Sequence, residues 1–399
     1  MTAGKEITSC LEKQMLVACA RTRMTPENAR CIREIAAQPI DWDYLLHEAE
    51  ANSITPLLHR HLTSIVADSP PSAFKEQLSQ ANRANVARSL SLTAELIKIL
   101  DLFRSHKVSV IPYKGPVLAA QAYGDVTLRE FEDLDLVLSQ PDLPQAHWIM
   151  LALGYKAKFD WILSTEAVAS VVPAEYAYRD EARRLLVELH TEVTLRHFPV
   201  KPDLDDFTRH LVPVRLGDRG VLTFSAEDTL PIICIHGSKH FWERISWIAD
   251  VSELIQSLAM ADWDRSIRVA EYLKAGRILH VGLALAQQML DAPLPGEILA
   301  RVRSDQVAVE VASKIQRRLI GREFRTLDTG GRFRFRRQMQ AGFIDGWRYA
   351  SRLAVVPAEE DWEMLHLPPV LAPLYIALRP IRLLRKYGWR GIRAPKPTS

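Results

Sequence analysis

The chain has 399 residues, 48% of them hydrophobic and 25% charged, which is the composition of a globular protein with room for two or three domains and excludes a disordered chain. A net charge of +3 excludes a uniformly basic nucleic-acid coat or membrane-surface protein, so any such role must rest on a local cluster. The four cysteines, Cys10, Cys19, Cys31 and Cys234, form neither a CxxC pair nor a disulfide framework, which argues for reduced thiols and against structural zinc.

The opening segment carries acids among its apolar residues and lacks the apolar stretch of a signal peptide, and no later segment holds about 18 uninterrupted apolar residues. The sequence is therefore read as cytoplasmic, with no membrane partner. Residues 1–105 read as a helical region, because apolar positions recur at three- and four-residue spacing in Trp42, Leu45, Leu46 and Ala49, and again in Leu90, Leu96, Ile97 and Leu100. Pro70 and Pro71 interrupt it. From 106 to 225 the pattern becomes that of an α/β core, with VSVIPY, LDLVL and LLVEL as short strands and helical stretches between them. Residues 226–295 return to helix, starting at Ser225 as cap with Asp228 three residues on, an acidic variant of the capping box. Residues 296–399 form a basic, mainly helical region. The fold class expected is α+β, a mixed sheet between helical N-terminal and C-terminal regions.

The stretch from Val110 to Leu138, VIPYKGPVLAAQAYGDVTLREFEDLDLVL, is the most informative. Side chains alternate between the faces of a strand, so Asp133 and Asp135 share one face while Leu134 and Leu136 share the other. Two carboxylates about 7 Å apart on a half-buried strand repel each other unless a cation lies between them. Oxygen ligands of this kind suit Mg²⁺ or Mn²⁺ rather than zinc. By the same argument, replacing either aspartate by asparagine should leave the metal-free fold intact or stabilise it. Glu188, in LLVELHTEV, is a third acid between apolar neighbours, with His190 projecting to the same face, and a paired strand would set it beside the aspartates. Three carboxylates can hold two divalent ions, one at an attacking hydroxyl and one at a triphosphate. Solvated acids at a strand edge would give the same DLD pattern, and His190 alone is as well explained by a structural hydrogen bond as by an acid, base or ligand role.

The succession of KG, LRxFxDLDLVL, VELH and ICIHGSKHFWERISWIADVSEL resembles the uncharacterised nucleotidyltransferase family of bacterial proteins, a branch of the DNA polymerase β-like nucleotidyltransferase superfamily. DWDYLLHEAEANSITPLLHRHL at 41–62 and DWEMLHLPPVLAPLYIALRPIRLLRKY at 361–387 extend the resemblance over nearly the whole chain. It implies a nucleotidyltransferase-like mixed sheet, a glycine turn for the triphosphate, and a DxD pair with a later acid for the metals. Carried over by position, Asp133 and Asp135 are the pair, Glu188 the later acid and Gly115 the glycine. The chain departs from the wider superfamily in having Lys114-Gly115-Pro116 where Gly-Ser is usual, and a longer interval before Asp133. A turn glycine lets backbone N–H groups approach phosphate, and Lys114 offers it a point charge, unless that lysine merely caps a strand end.

Arg129 is open between a triphosphate oxygen and an ion pair with Glu130 or Glu132. His236, Lys239 and His240 fall on one helix face and are candidates to line the nucleotide pocket, with Lys239 on a phosphate, while Trp242, Trp247 and Ile248 are assigned to the core. The histidines have zinc-compatible spacing, but Gly237 takes the place of the glutamate in HExxH. Asp250 is open between anchoring its helix and acting at the site. The reading that follows is transfer of a nucleoside monophosphate from an NTP, with ATP the expected donor, to a small molecule, peptide or protein. The alternative is an inactive nucleotide sensor or nucleic-acid-binding protein of the same fold. Between Lys314 and Arg352 about eleven Lys or Arg face three acids, with Phe333, Phe335, Phe343 and Trp347 interleaved. A nucleic-acid acceptor is not favoured, because such a face docks equally well on the acidic core. The acid-free stretch from Leu378 is expected to be loose.

Overall fold

The computed structural model describes residues 10–158, 175–193, 203–258, 263–321, 326–340, 342–357 and 373–387, with residues 361, 364, 365, 367 and 371. The helical spacing before His106 produces the helices Leu11–Cys19, Pro26–Ala36, Trp42–Ala51, Thr55–Ile65 and Ser72–Ser105. Local chemistry sets their starts. The Thr25 side chain accepts from the Asn28 N–H, with Pro26 in the first turn, and Asp41 accepts from the Tyr44 N–H.

The sheet follows. Strands β1 (Val110–Pro112), β2 (Asp133–Leu138), β3 (Lys156–Ala157), β4 (Glu175–Asp180) and β5 (Leu185–His190) lie in the order β1-β2-β5-β4-β3. β2 and β5 run parallel, and the other neighbours are antiparallel. VSVIPY, LDLVL and LLVEL thus supply the three adjacent strands β1, β2 and β5. A separate hairpin joins β6 (Leu211–Leu216) to β7 (Arg219–Phe224) through Gly217, whose φ of +59° suits a residue without Cβ. The fold is a mixed α+β one, as the sequence pattern implies.

Alternation along β2 divides two cores. Leu134, Leu136 and Leu138, with Val187 and Leu189 of β5, pack with Leu92, Leu96, Ile99 and Phe103 of the long Ser72–Ser105 helix. Val137, on the face of Asp133 and Asp135, joins the other core, which the N-terminal helices share with the helices Ala226–Lys239, Ile245–Ser257, Gly276–Leu290 and Gln306–Ile320. The acidic strand face therefore opens into the seam between the sheet and a helical body built from both ends of the chain.

Particular hydrogen bonds close that seam. The Ile245–Ser257 helix begins at Arg244, which gives it no side-chain cap. Instead the Asn52 side chain accepts from the Ile245 N–H at 3.1 Å and the Asn52 carbonyl from the Ser246 N–H at 3.3 Å, satisfying two amides that a helix start leaves open. Glu130 accepts from the Thr55 N–H at 2.9 Å, and Glu253 accepts both the N–H and hydroxyl of Thr22. Ser225 caps the Ala226–Lys239 helix as expected, but the Asp228 carboxylate turns to Arg265 at 2.7 Å.

The C-terminal stretch is not loose from Leu378. The helix Leu374–Tyr387 runs through it, with Tyr375 buried and Arg379 buried against Asp361 at 2.6 Å. Residues 388–399 lie outside the described ones. Arg318 donates to the Phe241 carbonyl, and the guanidinium groups of Arg332 and Arg336 both lie 5.3 Å from the Phe241 ring, so these basic residues dock within the molecule. The side chains of Phe343 and Trp347 lie outside the described residues. No described helix is long and apolar enough to cross a membrane.

Candidate active site

The parallel pairing of β2 and β5 sets Asp135 opposite Glu188 and Val137 opposite His190. Within this register Asp135 Oδ1 is 2.9 Å from His190 Nε2 and accepts from Lys114 Nζ at 2.8 Å, while His190 Nε2 is 3.6 Å from Glu188 Oε2. The His190 ring packs edge-on against Tyr113 at 5.4 Å, which fixes its plane. Asp135 is 3% exposed, whereas the Glu188 side chain keeps 18% and can meet a ligand.

The two aspartates differ sharply in charge state. Asp133, half-buried and facing Asp135, has its carboxyl pushed up to about 7 by desolvation and by the Asp135 charge. Burial also acts to raise Asp135, but the Lys114 ammonium and the hydrogen bond from His190 outweigh it and hold that carboxyl well below the usual range. Burial disfavours the His190 cation, yet hydrogen bonds to Asp135 and Glu188 push its pKa up to about 9. The Lys114 ammonium, buried beside Asp135, is likewise held more firmly than in water. The centre is thus an ionised Asp135 clasped by two cations, with Asp133 pushed toward protonation beside it. The expected repulsion between the two carboxylates is present and falls on Asp133, while Lys114 and His190 relieve it at Asp135.

The Lys114-Gly115-Pro116 turn reaches this centre despite the long interval. Gly115 has φ +52°, and a Cβ placed on it would come within 3.2 Å of the Asp133 carbonyl oxygen, so both conformation and space require glycine. The residues between return through a short helical turn, Gly115–Leu118, and a π-turn, Ala119–Tyr123. Pro116 has no N–H, which leaves the turn fewer amides for a phosphate than a Gly-Ser turn would have.

A cleft of about 660 Å³ opens beside Lys114, Gly115, Asp133 and Asp135. Arg129 lines it, but its partner is neither Glu130 nor Glu132. Its guanidinium makes two hydrogen bonds to Asp250, 2.7 and 2.9 Å, and Tyr123 donates a third to the same carboxylate at 2.8 Å. Two acids of the sequence reading thereby resolve differently: Glu130 caps a helix and Asp250 anchors Arg129. Lys239 pairs with Glu175 of β4 at 3.2 Å. His236 and His240 line the cleft with Trp247, their rings 4.8 Å apart and 5.8 and 5.1 Å from the indole. Burial keeps both imidazoles neutral, His240 pushed down to about 4 and His236 well below its usual value. That face is polar rather than cationic. Trp242 and Ile248 are buried core as expected, and Trp247 packs against that core while its partly exposed side also forms cleft wall. Gly237 is explained by Trp242, whose ring would lie 2.6 Å from a Cβ there.

The opposite wall comes from residues that sequence reasoning did not single out: Lys13, His47, Glu48, Asn52 and Ser53. The 41–62 segment is part of the resemblance, but only the fold brings its helix end over the sheet.

The residues present fit a hard divalent cation. One oxygen each of Asp135 and Glu188 lies in a cluster with a His190 ring nitrogen, all within 4.8 Å of one another, the imidazole being available as a ligand only once deprotonated. Asp133 is outside that cluster but lines the cleft with Asp135, and among the described residues the buried Asp135 Oδ2 has no hydrogen-bond partner. Among functionally curated proteins no match to the chain is found. A family model described as uncharacterised nucleotidyltransferase matches residues 38–291, which span the 41–62 segment, the whole sheet and the helices through Leu290, and the chain belongs to that family.

Proposed function

We propose that the chain transfers a nucleoside monophosphate from a nucleoside triphosphate, with ATP the expected donor, to an acceptor hydroxyl or phosphate. The acceptor oxygen attacks the α-phosphorus, the bond to the bridging oxygen of the β-phosphate breaks, and pyrophosphate leaves. The observation that carries this reading is the pairing of Asp135 with Glu188 across parallel strands, with Asp135 lining an open cleft and one of its buried carboxylate oxygens unpartnered among the described residues. Asp133, Asp135 and Glu188 are assigned to Mg²⁺ or Mn²⁺, which when bound would neutralise the triphosphate and the leaving pyrophosphate. Lys114 supplies a fixed positive charge to the phosphates from the glycine turn, where such charges favour the transition state. Glu188, the more exposed acid, completes the site or takes up the acceptor proton. His190 orients Asp135 and Glu188 through its ring nitrogen. Arg129, held rigid by Asp250, and the His236 and His240 face complete the nucleotide side. Lys239 reaches a phosphate only by leaving Glu175.

The acceptor is expected to be a small molecule, peptide or protein, since Arg318, Arg332 and Arg336 are engaged on Phe241 rather than presented as a strand-binding surface. A second reading, a nucleotide sensor without turnover, is favoured by one observation, that Lys114 already compensates Asp135. Incubating the protein with each α-labelled triphosphate, Mg²⁺ or Mn²⁺ and a cell extract separates the two. Transfer predicts an acceptor heavier by one nucleoside monophosphate and pyrophosphate released one for one. Nucleotide binding with no labelled acceptor supports the sensor.

A further inference from the structure

The cleft has two chemically distinct linings. One is the acids, Lys114 and the glycine turn. The other is a half-buried indole and two imidazoles in mutual contact, His236, His240 and Trp247, with His236 near enough to feel the charges of Lys114 and Asp135. Such an aromatic cluster at a cleft wall would be core if it were sealed, yet all three residues line open volume and all three retain partial exposure. The exposed Arg244 guanidinium lies over the Trp247 ring, 5.7 Å from its centroid, and hydrogen-bonds Ser53 at 3.4 Å, so one face of the indole carries a cation that a stacking base would displace. Burial keeps both imidazoles uncharged, so the wall presents rings rather than charges. Glu243 lines the same cleft and has a buried carboxylate oxygen with no hydrogen-bond partner among the described residues, an acceptor that the N–H groups of a nucleobase can meet.

We infer that Trp247, backed by His240 and His236, is the stacking platform for the base of the bound nucleotide, so that one cleft reads phosphate at Lys114 and base at Trp247. This rests on the nucleotidyltransferase reading above and adds to it which lining of the cleft takes which part of the donor. Stacking on an aromatic ring tolerates any base and is worth enough to shift affinity about tenfold per base.

The test is calorimetric titration of the full chain with Mg²⁺ and, in parallel, each of ATP, GTP, CTP and UTP and inorganic tripolyphosphate, which carries the phosphates and no base. Trp247→Leu removes the ring and keeps apolar bulk, and Trp247→Phe restores a ring. The platform predicts that Trp247→Leu weakens the tightest nucleotide about tenfold, leaves tripolyphosphate affinity unchanged, and is largely rescued by Trp247→Phe. Equal loss for nucleotide and tripolyphosphate, or no loss for either, overturns it. If the wild-type chain binds neither nucleotide nor tripolyphosphate, the nucleotidyltransferase reading itself fails, and the platform with it. If Trp247→Leu does not fold, the comparison of Trp247→Phe with wild type is supplemented by quenching of tryptophan fluorescence, which nucleotide must cause in wild type and tripolyphosphate must not. Quenching by both, or by neither, counts against the platform.

Discussion

Within β2, Asp133 is pushed toward protonation by burial and by Asp135, while Asp135 is held ionised between Lys114 and His190. Because the folded carboxyl of Asp133, at about 7, lies above its ordinary value of 3.8, the stability it contributes is present below that ordinary value and lost as pH rises through about 7. Asp133→Asn removes that loss, and metal-free protein at pH 8 should melt higher with it than without. Asp135→Asn has the opposite sign. It leaves Lys114 and His190 buried without their carboxylate and should cost about 3–5 kcal/mol, the usual effect of removing one partner of a buried ion pair. Thermal unfolding in chelator checks both, and equal effects would mean simple repulsion. His240, pushed down to about 4 by burial, acts at acid pH. Its neutral form contributes stability that is present above its ordinary value of 6.5 and lost as pH falls through about 4. His240→Gln should therefore flatten the stability profile between those values in urea melts, and an unchanged profile would show that His240 is not kept neutral. The alternation in DLDLVL made the acids legible, but neither the Lys114 contact nor the difference between the aspartates can be read from spacing, since both arise from a turn folding back onto the strand.

At the scale of elements, the strands β1, β2 and β5 were legible because each is a short apolar, β-branched or leucine-rich run, interrupted by charge in β2 and β5. β6 and β7 also carry a signal, in LVPVRLGDRGVLTF, where two apolar runs flank Gly217. β4, EYAYRD, carries a weaker one in the alternation of Tyr176 and Tyr178, which are buried where it pairs with β5 and β3. Trp247 was assigned to the core because helical periodicity reports a face and not whether that face is sealed. The start of its helix depends on Asn52, whose side chain and carbonyl serve the Ile245 and Ser246 amides. Asn52→Ala should cost about 1–2 kcal/mol by loss of a cap and weaken nucleotide binding by loosening the cleft wall. Chemical denaturation and titration with Mg²⁺ and nucleotide measure the two effects, and lost stability with unchanged affinity would detach Asn52 from the site. The last helix makes a second case. Truncation after Tyr375 removes Arg379 and Arg382, both of which pair with the buried Asp361. Faster proteolysis and a lower melting temperature are expected, whereas a loose tail would change neither.

For the whole molecule, residues from both ends of the chain share the core behind the cleft, so the site is a seam between sheet and helical body. Such long-range convergence, Lys13 and Asn52 against Arg244 and Leu319, is what a sequence pattern does not contain. The family resemblance did convey the acids, the glycine turn and the overall α+β architecture, because those are local strings. The near-neutral overall charge also agrees with basic residues being spent internally on Phe241. The central claim, that Asp133, Asp135 and Glu188 hold a divalent cation for a triphosphate, is most directly tested by calorimetry of nucleoside triphosphate binding to wild type and Glu188→Gln, each with Mg²⁺ and with chelator. Glu188 is the variant of choice because its partly exposed side chain makes it the least structural of the three. The account predicts binding to wild type that requires Mg²⁺, takes up the cation with release of a proton near pH 7 from Asp133, and falls at least tenfold in Glu188→Gln. Equal affinity in Mg²⁺ and in chelator, undiminished in Glu188→Gln, would contradict it.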